Sequence, residues 1–89
     1  MNPLMATAER IERILRSELD RTHRLYKAEA ALFRSVVQDA PSGIPSPESA
    51  ARIRRAADTH NHAIDAYKTA LRRFNDYAIN RIVPDDLEP

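Results

Sequence analysis

Eighty-nine residues confine the chain to a single small domain, and five aromatic residues without a tryptophan give it little material for a core of its own. The absence of cysteine excludes a disulfide framework, a thiol nucleophile and a thiolate metal site. Fourteen basic against 13 acidic residues leave a net charge of +1, too small a global field to gather nucleic acid or anionic membrane.

The opening residues, Met1-Asn2-Pro3-Leu4-Met5-Ala6, lack a basic segment followed by an apolar run, and no apolar stretch along the chain is long enough to span a bilayer. A cytoplasmic location away from membranes is therefore the expectation. Asn2 before Pro3 pairs a good N-cap with a proline at the first helical position, where its fixed φ suits the helix and its missing N–H costs nothing. A first helix is predicted over 3–39. Pro41-Ser42-Gly43-Ile44-Pro45-Ser46-Pro47 then gathers three of the six prolines and the only glycine, so a turn is predicted over 40–46.

Ser46-Pro47-Glu48 repeats the cap and adds a carboxylate in the first turn, which the helix dipole favours. A second helix is predicted over 47–83, stopped by Pro84 through its effect on Val83, with an acidic, frayed tail over 84–89. Each helix is about 37 residues, or roughly 55 Å, long. Equal lengths around a short turn describe an all-α fold of two long antiparallel helices, an αα-hairpin forming one domain over 1–89.

The apolar spacing indicates which faces are hidden. In the first helix Leu4, Ala8, Ile11, Leu15, Leu25, Leu32 and Val36 follow steps of four and three interrupted by Glu18, Thr22 and Glu29, with Met5, Leu19, Tyr26, Phe33 and Val37 beside them. In the second helix Ala50, Ile53, Ala57, His60, Ile64, Tyr67, Leu71, Phe74 and Ala78 form the main stripe, with Ala56, Ala63, Ala70 and Tyr77 alongside. The alanines fit a close approach of the helices, and equally reflect alanine's helix propensity. Both stripes are wider than one neighbouring helix covers. A second hairpin is therefore expected to bury the remainder, giving a four-helix bundle by homodimerisation with Leu15, Leu25, Leu32, Ile64, Leu71 and Phe74 in the dimer core.

Most charges have a plain reading. Glu9 with Arg13, Glu12 with Arg16, Asp20 with Arg24 and Glu48 with Arg52 are acid-first pairs four apart, the order that supports an exposed helix. Arg10, Arg13, Arg16, Arg21, Arg24 and Lys27 make the first helix locally basic, an alternative site for nucleic acid or an acidic partner. Glu9, Glu12, Glu18 and Asp20 are interleaved with them, against the clean stripe that such binding uses.

Polar residues on the core stripes are the remaining candidates. If the hairpin turns near Gly43, residues whose numbers add to about 87 share a height, which brings Glu29 and Tyr26 toward His60. His60, Glu29 and Tyr26 are expected to form a core polar network in which a Glu29–His60 contact fixes the pairing of the helices. His60, Glu29 and Glu18 are also the candidate metal ligands for an alternative reading as a metal- or ligand-binding bundle, although no cofactor is required. His60 and His62 are two apart and point about 200° from one another, and neither completes the Glu-x-x-His pattern of di-iron bundles.

No catalytic set emerges. The serines lack a G-x-S-x-G turn, and one glycine cannot build a phosphate loop. Phosphoacceptor hairpins of sensor kinases place an acid after the histidine, where this chain has Asn61 and Ala63. Small secreted helical hairpins carry Trp-x-Gly at the turn and an acid four residues after a tyrosine. Here the turn reads Ser42-Gly43-Ile44, and Leu71 and Arg81 stand four after Tyr67 and Tyr77. The chain therefore reads as a non-enzymatic interaction or structural module that acts through dimerisation and binding of a protein partner.

Overall fold

A computed structural model describes residues 3–39 and 46–88, with side chains from Thr7 onward. They form an antiparallel hairpin of α1, Pro3–Asp39, and α2, Pro47–Asn80, followed by a short 3-10 turn over Asp85–Leu87. The molecule is a rod of 64 × 19 × 18 Å. The expected N-cap at Asn2 and the turn residues 40–45 lie outside the described residues. No helix among the described residues is long and apolar enough to cross a membrane.

Ser46 caps α2 as its sequence implies. Its extended backbone, with φ −64° and ψ 158°, sets Oγ to accept a hydrogen bond from the Ser49 N–H at 3.1 Å, and Pro47 and Glu48 occupy the first turn. The other end departs from the expected stop at Val83. The helix closes at Asn80, and Arg81 takes the left-handed conformation with φ 56° and ψ 32°. The Arg81 N–H donates to the Tyr77 carbonyl at 3.0 Å and the Ile82 N–H to the Asp76 carbonyl at 3.2 Å, satisfying carbonyls that a helix end leaves open.

The reversal at Arg81 returns Val83 and Leu87 to the helices, where they pack against the cluster of Ile11, Leu15 and Tyr77. The tail is thus folded rather than frayed. Burial of two apolar side chains, together with the Asp86 contacts described below, holds it in place. Leu15 is completely enclosed, a burial that contributes about 2 kcal/mol. The Tyr77 hydroxyl donates to the Ala8 carbonyl at 3.1 Å, so the ring that fills this core also joins the two helices by a hydrogen bond.

The innermost positions of α2 are Ala63, Ala70 and Tyr77, spaced by seven, from the stripe expected to lie alongside the main one. Their burial favours close helix approach as the role of these alanines. In α1 the inward line runs through Ile11, Leu15 and Thr22 and then passes to Tyr26 and Phe33, leaving Leu25 and Leu32 exposed. A straight helix drifts about 20° per heptad from a 3.5-residue repeat, which moves the contact line from Leu25 to Tyr26 and from Leu32 to Phe33. Thr22 is buried with its hydroxyl donating to the Glu18 and Leu19 carbonyls at 2.8 and 3.1 Å, so it fills the seam without an unmet donor.

Candidate functional site

Three features lie along the hairpin. Nearest the open end, Arg73 of α2 stands between two carboxylates. Its Nε and Nη2 donate to Glu18 of α1 at 3.2 and 3.4 Å, and its Nη1 and Nη2 donate to Asp86 of the tail at 2.8 and 3.0 Å. The planar guanidinium suits this double fork, and one side chain thereby fastens α1, α2 and the tail together. The hydrogen bond to Asp86 raises the Arg73 pKa, with the charges of Glu18 and Asp86 adding to it against partial desolvation. The same hydrogen bond holds the Asp86 carboxyl below its ordinary range.

The middle of the rod carries a row of neighbouring rings drawn alternately from the two helices. His23 of α1 lies 5.2 Å from Tyr67 of α2, and Tyr67 lies 5.7 Å from Tyr26 of α1. Tyr26 lies 5.8 Å from His60 of α2, and His60 lies 5.7 Å from Phe33 of α1, all measured between ring centroids. Interplanar angles are 34°, 14°, 22° and 3° in that order, so the His23–Tyr67 pair is tilted and the other three pairs are near-parallel with their rings offset. Tyr26 and His60 come together as expected, but by stacking.

Glu29 lies elsewhere. It lines a groove with Leu32, Val36, Arg52, Arg55 and Thr59, whereas His60 lines a different groove with Tyr26, Ala30, Phe33 and Arg34. One Glu29 carboxylate oxygen is enclosed without a hydrogen-bond partner among the described residues. The expected network of His60, Glu29 and Tyr26 is therefore divided between two faces of the hairpin.

Among the candidate metal ligands, Glu18 is engaged by Arg73, and Glu18 and Glu29, eleven residues apart, are separated by about 16 Å along the helix. Among the described residues no group of three or more His, Asp or Glu side chains is placed to hold one ion. Of the residues expected in a dimer core, Leu15 is sealed inside the hairpin and Phe74 packs on its cluster. Leu25 and Leu32 are exposed on the Glu29 side, as their spacing of seven implies, and Leu71 is exposed four residues after Tyr67, with half-buried Ile64 four after His60. Glu12–Arg16, at 3.1 Å, is the expected surface pair that closes among the described residues.

His23 had no place in the apolar stripes, yet it ends the ring row. The available signal was its position three residues before Tyr26, at about the height of Tyr67 in the expected hairpin. Arg73 and Asp86 were also missed, although a tail carrying two aspartates before Leu87 had a cation within reach. Comparison with protein-family models, with curated proteins and with solved structures finds no match to this chain.

Proposed function

We propose that the chain is a non-enzymatic helical interaction module that pairs with a second copy of itself into an antiparallel four-helix bundle and engages its protein partner in that assembled form. One observation carries the reading. Among the described residues from 23 to 62 none is buried, although this stretch holds Leu25, Leu32, Phe33, Val36, Val37 and Ile53. Such a run of apolar side chains, left partly or largely in water on two helices, has the composition of an unfinished core.

The surface area supports the same reading. The chain exposes 6839 Å², against about 5,300 Å² for a compact monomer of this mass. The excess, about 1,500 Å², falls within what each subunit of an obligate homodimer loses on assembly. Sedimentation velocity and native mass spectrometry over a range of concentrations test the proposal. A dimer of bare chains is expected, and a chain that stays monomeric at its highest soluble concentration would sink it.

A further inference from the structure

We infer that the second copy docks on the Glu29 face of the hairpin, in a two-fold contact where Glu29 of each chain meets Arg52 and Arg55 of the other. This rests on the homodimer reading above and adds to it the face used and the polar contacts that select it.

Three observations converge on that face. Glu29 has an enclosed carboxylate oxygen without a hydrogen-bond donor among the described residues, an acceptor that a guanidinium from a second chain would satisfy. Arg52 and Arg55 line the same groove from α2, and neither guanidinium forms an ion pair among the described residues. Leu32, 53% exposed, shares the groove, and Leu25, 43% exposed, stands two turns earlier on the same side.

A two-fold contact applies one patch to itself, so the patch must contain both halves of each interaction. This groove does so, with a carboxylate on α1, two guanidiniums on α2 and apolar side chains beside them. The opposite face offers less. Its rings already pair with one another along the seam, and Lys27 and Arg34 flank its groove without a carboxylate among the lining residues. The same two-fold contact, α1 against α2, would give Lys27 and Arg34 no carboxylate from that groove.

Charge reversal with mixing tests the inference. Glu29→Arg alone, and Arg52→Glu with Arg55→Glu, are each expected to weaken self-association about tenfold or more while helix content by circular dichroism is retained. An equimolar mixture of the two variants should restore a dimer containing one chain of each, resolved by mass. Leu32→Glu should weaken association similarly, and Leu71→Glu on the ring face should leave it unchanged. A wild-type dimer whose affinity ignores Glu29→Arg and Leu32→Glu but is lost in Leu71→Glu would overturn this inference and keep the homodimer. A wild-type chain that never dimerises would overturn both. If Glu29→Gln lowers the unfolding free energy of the isolated chain and leaves association untouched, Glu29 is bound within its own hairpin and the proposed contact falls.

Discussion

At the open end of the hairpin Leu15 is sealed by Ile11, Tyr77 and the returning tail, with Arg73 fastening three segments at once, whereas toward the turn the helices meet through half-exposed rings and leave leucines in water. Both halves use the same helical spacing and a similar share of apolar residues. They differ in having something to cover the outward side: the open end gains Val83 and Leu87 from the tail, and nothing equivalent is described over Leu25, Leu32 and Leu71. Two helices alone bury one stripe each, and a third element decides whether a hairpin acquires an interior.

The widest test of that contrast is a matched pair of truncations measured by urea unfolding in the dilute, monomeric range. Leu15→Ala should cost about 3–4 kcal/mol, because a filled site becomes a cavity, and Leu32→Ala should stay within about 0.5 kcal/mol. Equal losses at the two sites would erase the distinction between the halves. His60→Ala should fall between them at about 1–2 kcal/mol, since it breaks stacking on both Tyr26 and Phe33. No measurable loss there would mean that neither the stacking nor the bulk of the His60 ring stabilises the hairpin.

A smaller effect should appear with acid. Asp86 is held below its ordinary value of 3.8 chiefly by the hydrogen bond from Arg73. Its contribution is therefore fully present above that ordinary value and disappears as pH falls through the lowered one. Asp86→Asn should flatten the acid limb of the stability profile, and an unchanged limb would show that the tail is held by the packing of Val83 and Leu87 without the Asp86 contact. The smallest expected change is at the helix end. Arg81→Gly relieves a left-handed residue of its Cβ but removes a guanidinium 5.8 Å from the Tyr77 ring, for a net gain of about a few tenths of a kcal/mol by urea unfolding.

The breakers between Pro41 and Pro47 and the Ser46 cap made the two-helix architecture legible, because each acts through its own backbone. Side-chain neighbours across the seam were less legible. Equal height placed Tyr26 near His60 correctly, but height does not say on which side of the contact line a residue falls. Glu29 lies across that line from His60. The exchange of Leu25 for Tyr26 and of Leu32 for Phe33 has the same origin, since a small angular drift accumulates over four turns until a neighbouring residue faces inward. The tail was misread because its acids suggested solvation, whereas Asp86 and Leu87 found a cation and an apolar cluster on helices distant in sequence.

The 64 × 19 × 18 Å rod has a consequence for how the molecule moves through solvent. A particle more than three times as long as it is wide drags more water than a sphere of its mass, so a single hairpin should diffuse slowly and elute early. Two hairpins laid side by side thicken the rod without lengthening it. Assembly should therefore lower the frictional ratio while doubling the mass, and the dimer should be the rounder body.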